Sequence, residues 1–303
     1  MNLLVAIPCA LGAAVAYGVS AAVQHHVAHT GTGRVDPRGL LALVRDPRWL
    51  ASMLGDGVGL VLQIIALSAG PVVLIAPLFV LAVPVSLPAG WLLGGHAPRR
   101  RDYWGCALII AGLATFFALL GNPAPGTALS GRAGLTAGLI ALVAFGVTFV
   151  ALHRSGPTVR AFGYGVIAGA GFGLVEVLVS AVSTVWATDG ARGFTQPNGY
   201  FNLVMVVVVG VVAITFTQLA FQVGPLAASF PANECAAPAV AVLLGAILLH
   251  EPMPANVVIL GGYLLCLLAV VAGTVALASD TKASSPRAPG TSRTRSGRHT
   301  VRS

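Results

Sequence analysis

Long apolar runs separated by short polar segments make up most of this chain. Nine of the runs come close to the roughly 20 mainly apolar residues that a membrane-spanning helix needs. They cover residues 3–23, 50–69, 71–94, 103–121, 133–153, 161–186, 200–222, 225–249 and 256–278. The pattern predicts an all-α, polytopic membrane helix bundle with about nine transmembrane helices.

Composition supports lipid as the main solvent. Charged residues make up 9% of the chain, whereas an average soluble domain has about 25%. A water-soluble surface cannot be built from so few charges. We therefore expect one transmembrane domain over residues 1–278, with halves at about 1–121 and 133–278.

The short loops differ in their content of basic residues, which predicts orientation. One set contains four arginines within 24–49, then Arg99–Arg101, then Arg154 and Arg160. The other set contains only Arg132 and Arg192. The bias predicts a protein of the plasma (inner) membrane with its N-terminus outside and its C-terminus in the cytoplasm.

The last segment, residues 279–303, has six Lys and Arg residues against one Asp and is rich in Ser, Thr, Pro and Gly. This composition predicts a disordered basic tail close to anionic lipid head groups. The tail has no aromatic residue to stack on bases, so we expect no nucleic-acid partner. The expected partners are the lipid bilayer and a small solute or cation; a homodimer is one assembly that such a bundle allows.

An internal repeat relates positions 154 residues apart. Gly70-Pro71, Pro77 and Pro84 recur as Gly224-Pro225, Pro231 and Pro238. These positions fall on the third and eighth spans, which the predicted topology runs in opposite directions. Two pseudo-symmetric inverted halves of this kind are a signature of many secondary transporters, and the four prolines at 77, 84, 231 and 238 are expected to break their helices.

A second internal sequence similarity does not fit a simple inverted repeat. Tyr17-Gly18-Val19-Ser20 matches Phe145-Gly146-Val147-Thr148, and it pairs the first span with the fifth, which run in the same direction. Either the first half has lost one helix, or the charged segment 24–49, expected as an interfacial loop, contains a re-entrant piece. The sequence leaves both explanations open.

Several motifs together resemble one known superfamily. ALSAGP at 66–71 leads into a proline-containing helix, and WGCALIIAG at 104–112 follows. The second half has Thr217-Gln218, Gly224-Pro225, Pro238, His250-Glu251-Pro252 and Leu260-Gly261-Gly262. Over residues 3–278 this resembles the drug/metabolite transporter (DMT) superfamily, EamA-like. The first half departs from the pattern, with Gly94-Gly95-His96 where the second has His250-Glu251.

The predicted helix count, the outside N-terminus and Gly55-Asp56 look most like the branch that contains the NIPA-type magnesium transporters. The resemblance implies transport but does not name the cargo, because members of the superfamily move very different solutes.

Three carboxylates lie within the predicted spans: Asp56, Glu176 and Glu234. Charged groups at membrane depth cost at least ~2.5 kcal/mol each and usually face a cavity. Glu176 follows glycines at 165, 169 and 173. That spacing allows a neighbouring helix to approach closely, so we expect the face to be buried in protein.

Glu234 follows Asn233 and lies between two prolines, which free backbone carbonyls. Carboxylate, amide and carbonyl oxygens suit a hard cation or a substrate at an interrupted helix. Gln63 shares a helix face with Asp56, and Gln218 is a further polar candidate. A packing role explains each of these residues as an alternative.

These features favour a secondary carrier of a small solute or metabolite, working by alternating access. The nearest alternative is a NIPA-like magnesium or divalent-cation transporter, and a third is a non-transporting membrane scaffold. The chain has no G-x-x-x-x-G-K-[ST] phosphate loop and no catalytic constellation that we could identify, so we expect no enzyme and no cofactor, and the sequence assigns no metal site.

Overall fold

The computed structural model of the chain describes residues 2–30, 47–94, 97–121, 123–124, 126–223, 226–254 and 256–278. Regular structure in these ranges is entirely helical. Nine spans within them are long and apolar enough to cross a membrane. The predicted all-α fold with about nine helices of membrane-spanning length is therefore confirmed for the described part of the chain.

The helices follow one another in an order close to the predicted one. They are α1 (Leu3–Thr30), α2 (Pro47–Ala69), α3 (Val72–Ile75), a 3-10 segment (Ala76–Leu81), α4 (Ala82–Leu92), α5 (Arg100–Leu120), α6 (Gly131–Leu152), α7 (Pro157–Asp189), α8 (Pro197–Val223), α9 (Leu226–Leu248) and α10 (Val257–Ala278). A second 3-10 segment, Gly190–Thr195, follows α7. The predicted interfacial loop lies mostly outside the described residues, as do Gly224-Pro225 and the basic tail.

The helix α7 is longer than the predicted span of 161–186. Pro157 begins it at the first helical position, where the missing N–H of proline costs nothing. Gly190 ends it with a φ of 58°, which suits glycine at the end of a helix. Both ends of α7 are therefore determined by residues at the ends themselves.

The repeated prolines act differently in the two halves. Pro77 lies in the 3-10 segment that separates α3 from α4, and Pro84 lies in the first turn of α4. Pro231 and Pro238 instead lie inside one continuous helix, α9. The expected interruption at all four prolines is therefore wrong for the second half.

Packing groups the helices into two sets. In one set, α1 packs against α2 and α4; in the other, α7 packs against α8 and α9. The helices α5 and α10 pack against each other, and α6 lies against α7 and α8. Large apolar side chains cover the outside of α6, where Ile140 and Val143 are each 65% exposed. Such a surface fits contact with lipid.

Candidate functional site

A cavity of about 450 Å³ lies in the middle of the bundle, between α1, α2, α4, α7, α8, α9 and the first 3-10 segment. Asp56, Glu176 and Glu234 all line it. The three acids come from α2, α7 and α9, and the sequence alone could not show that they meet. No Lys, Arg or His lines this cavity within the described chain, so its fixed charges are acidic.

Close contact between α7 and α9 places two of these acids together. A side chain at Gly165, Gly169 or Gly173 would collide with the backbone of α9 at Ser229, Asn233 and Ala237. The glycine face is therefore buried in protein, as predicted. Glu176 lies one turn beyond it, is 7% exposed, and lines the cavity together with Glu234.

The polar groups at the cavity wall are only partly paired. Asn233 Nδ2 donates a hydrogen bond of 3.2 Å to Glu234 Oε1. Buried Glu176 Oε2 and Asn233 Oδ1 have no hydrogen-bond partner among the described residues. A buried acceptor without a donor costs about 1–3 kcal/mol, and such a group calls for an explanation. A bound cation or proton donor would satisfy both acceptors.

Asp56 lines the cavity together with polar residues of α1 and α2. The phenolic O–H of Tyr17 donates a hydrogen bond of 2.6 Å to Gln63 Oε1, and both residues line the cavity. Tyr17 is also near enough to Glu176 and Asp56 to interact electrostatically with them. The sequence analysis used Tyr17 only for the similarity between residues 17–20 and 145–148. The signal for a site residue was its hydroxyl group within an apolar run.

The rest of the wall is mainly apolar. Phe79 and Phe172 contribute aromatic rings, and Val80 and Val175 contribute aliphatic surface. Sequence reasoning missed both phenylalanines, because an aromatic residue in a membrane helix has no distinguishing local pattern. Their role depends on which helices face each other.

Other predicted site residues lie elsewhere. Gln218, the further polar candidate, is exposed on α8 and does not line the cavity. Pro238 lines the cavity, while Pro77, Pro84 and Pro231 do not. In the described part of the chain, no three His, Cys, Asp or Glu side chains are grouped so as to hold one metal ion.

Hydrogen bonds hold together the end of the bundle at Pro71. The Glu251 carboxylate accepts hydrogen bonds of 2.8 Å from the N–H groups of both Val72 and Val73. The N–H of Asn2 donates to Ala69 O at 2.9 Å. The helix α9 also packs against α3 and the first 3-10 segment. The two sets of helices are therefore joined at this end.

Comparison with known proteins gives a match over most of the chain. The chain is 27% identical over 254 residues to a protein of Corynebacterium glutamicum described as uncharacterized, and the match covers 82% of this chain and 86% of the relative. No family model matches the chain, and no solved structure matches it. The relative's name states no activity. The function of this chain is therefore inferred from the geometry of the cavity.

Proposed function

We propose that this chain is a secondary carrier that moves a small solute across the plasma membrane by alternating access. The observation that carries the proposal is the cavity at mid-bundle, which is lined by acids from three different helices. Ionisable groups at this depth are costly and usually mark a substrate or ion pathway. A scaffold protein does not require them.

Positions related by the 154-residue repeat support an inverted architecture. Six such pairs line the same cavity: Ala21 and Val175, Asp56 and Gly210, Leu60 and Ile214, Phe79 and Asn233, Val80 and Glu234, and Val83 and Ala237. A pseudo-two-fold axis through the cavity would place equivalent positions of two halves around one site. The halves then differ in chemistry, because both Glu176 and Glu234 belong to the second.

Packing also favours one explanation of the helix count. The helix α1 packs on α2 and α4 as α7 packs on α8 and α9. Buried Ala10, Ala14 and Gly18 on α1 lie 155 residues before Gly165, Gly169 and Gly173, one residue more than the 154-residue repeat. This pairs α1 with α7 and leaves α6 without a counterpart, so we infer that the first half lacks one helix.

Glu176 and Glu234 provide a way to couple solute transport to the movement of protons. Two neighbouring carboxylates in an apolar cavity resist being charged together unless a cation lies beside them. Binding of a proton and binding of a cation at Glu176 and Glu234 therefore compete. In the proposed cycle, release of one permits binding of the other.

Divalent-cation transport is the second candidate. Every polar side chain that lines the cavity offers an oxygen, including Gln63 and Asn233, and oxygen is the ligand that Mg²⁺ prefers. Mg²⁺ also keeps several waters, so it needs few direct ligands. An uptake assay that includes Mg²⁺ separates this candidate from a solute carrier.

The test is flux in vesicles that contain the purified full-length chain. Solutes of each charge class and Mg²⁺ are offered with and without a pH gradient. We expect saturable uptake that Glu234→Gln and Glu176→Gln abolish while folded yield stays near normal. The exposed Asp189 gives the control Asp189→Asn, which should transport normally. Normal flux in both glutamine variants would remove these acids from the mechanism.

A further inference from the structure

A second, smaller cavity of about 140 Å³ lies at the Pro71 end of the bundle. We call it the outer pocket, because the distribution of arginines predicts that this end faces outward. Ser68 and Thr127 line it and are exposed, so the outer pocket reaches the protein surface. Ser180 and Thr184 of α7 also contribute to its wall.

About one helical turn separates the outer pocket from the central cavity that the acids line. On α2, Gln63 lines the central cavity and Leu67 lines the outer pocket, and four residues of helix span about 6 Å. On α7, Val179 lines the central cavity and its neighbour Ser180 lines the outer pocket. The two cavities therefore follow one another along two helices, one from each half of the chain.

The short helix α3 lies in the layer that divides the two cavities. Pro71, directly before α3, lines the outer pocket, and Ala76, directly after it, lines the central cavity. All four residues of α3 are buried, and they belong to one hydrophobic core with Leu67 and Val177. Because a core of this kind is close-packed, a solute can pass between the cavities along this line only if α3 moves.

One carboxylate holds α3 against the end of α9. Glu251 accepts hydrogen bonds from the N–H groups of Val72 and Val73. The preceding residue, His250, has a φ of 53°, and a strained backbone of this kind often occurs at switch regions. Gly245 of α9 allows the close approach, since a Cβ there would lie 3.1 Å from Glu251 Oε2 and 3.4 Å from Val72 Cβ.

The segment that follows α3 can act as a hinge. Residues Ala76–Leu81 form a 3-10 helix between α3 and α4, and a 3-10 stretch inside a longer helix often marks a hinge. Phe79 and Val80 of this segment line the central cavity. One end of the segment therefore contacts the central cavity, and the other end continues into the helix that Glu251 holds.

We propose that α3 is an outer gate between the two cavities and that Glu251 is the latch that keeps it closed. A solute passes between the central cavity and the outer pocket when the Glu251 carboxylate releases Val72 and Val73. This inference rests on the proposed carrier function, because it assigns the control of the same path. It goes beyond that function in predicting access to the cavity from one side, which is measurable without a known solute.

The experiment measures access to the central cavity from each side of the membrane. Gly210→Cys places a thiol in the cavity wall with little strain, because a Cβ there meets only Val175, at 3.9 Å. The full-length chain in right-side-out and inside-out vesicles is treated with a membrane-impermeant maleimide, and peptide mass spectrometry measures labelling at position 210. Ser180→Cys is the reference in the outer pocket and should be labelled from the Pro71 side whatever the state of the latch.

Removal of the latch should open the gate. Glu251→Ala eliminates both hydrogen bonds to a charged acceptor, so labelling of Gly210→Cys from the Pro71 side should rise at least about fivefold. Labelling from the other side should not rise with it. Asp189→Asn is the matched control, since it changes an exposed acid at the same end of the bundle and should be labelled like wild type.

A covalent bond in place of the latch should keep the gate closed. Val72→Cys combined with Gly245→Cys should form a disulfide, because the 3.4 Å between the two Cβ positions is close to the usual range of about 3.5–4.5 Å. Oxidation should lower labelling at position 210 from the Pro71 side at least about tenfold, because the open state loses its population. Reduction should restore the labelling, and neither cysteine alone should respond to oxidation.

The outcomes separate the gate from the carrier function. Labelling that neither the disulfide nor Glu251→Ala changes would overturn the latch. Failure of the disulfide to form, no labelling of Ser180→Cys from the Pro71 side, an equal rise from both sides in Glu251→Ala, or flux that persists in the oxidised variant would each do the same. If Glu251→Ala gives little folded protein, the disulfide decides. Latch-dependent access without flux of any solute would support the gate and overturn the carrier function.

Discussion

Glu251 Oε1 accepts a hydrogen bond of 2.8 Å from the backbone N–H of Val72, across 179 residues of sequence. Its other oxygen accepts from Val73 at the same distance. The carboxylate thereby satisfies two N–H groups at the start of α3, which have no partner inside the helix. Glu251, three residues beyond the end of α9, and the start of α3 are held together at the Pro71 end of the bundle.

This contact predicts a structural cost for Glu251→Gln. The carboxamide keeps one acceptor and turns an N–H₂ group toward the other backbone N–H. A buried donor left unsatisfied costs about 1–3 kcal/mol, so the midpoint of thermal unfolding in detergent should fall. Asp189→Asn is the control and should not change it.

The same group predicts a pH dependence. Burial raises the pKa of the Glu251 carboxyl above its ordinary value of 4.5, and the hydrogen bonds from Val73 and Val72 oppose that rise. The folded chain therefore holds this proton more tightly than the unfolded chain does. The stabilisation that comes from holding this proton in the folded chain is fully present below pH 4.5. It is lost as the pH rises through the pKa of Glu251 in the folded chain.

The measurement is a pair of thermal unfolding curves across that pH range. The midpoint of the wild-type chain should fall relative to that of Glu251→Gln as the pH rises. If the difference between the two unfolding midpoints stays constant with pH, or grows in favour of the wild type, burial does not control the pKa of the Glu251 carboxyl.

Close packing of α7 on α9 predicts a strong effect at Gly169. Leucine at this position would collide with the backbone carbonyl of Asn233, which cannot rotate away as a side chain can. We expect a loss of more than about 3 kcal/mol and little folded protein by size-exclusion chromatography. Gly146→Leu on α6 is the matched control, since a Cβ there meets nothing within 4 Å. Similar yields for the two variants would contradict this packing.

The proposed repeat predicts that one acid can be moved across the cavity. Glu234→Val alone should abolish flux, and the double variant Val80→Glu with Glu234→Val should restore part of it, because both positions line the same space. Val80→Gln with Glu234→Val controls for shape without charge. If both double variants are folded and equally inactive, the two positions are not equivalent.

The distribution of arginines predicts the orientation of the chain. A reporter that is active only in the cytoplasm should work when fused after Ser303 and fail when fused before Met1. An odd number of spans requires the two termini to lie on opposite sides. Activity of the reporter at both ends would exclude the nine-span topology.

The sequence by itself determined the class and the approximate helix bounds. Membrane spans are specified locally, since each backbone polar group must be satisfied inside its own segment. Pro157 and Gly190 mark the two ends of α7 for the same local reason. The acids at 56, 176 and 234 were also identifiable, because a charge within an apolar run is unusual wherever the run lies.

Only the tertiary structure decided which side chains share a site. Tyr17, Phe79 and Phe172 join the acids around one cavity, whereas Gln218 faces outward. A membrane helix that is apolar on all sides carries little signal for the direction of its partner. The direction comes from backbone contacts such as that of Gly169 with Asn233, and these depend on residues far apart in the sequence.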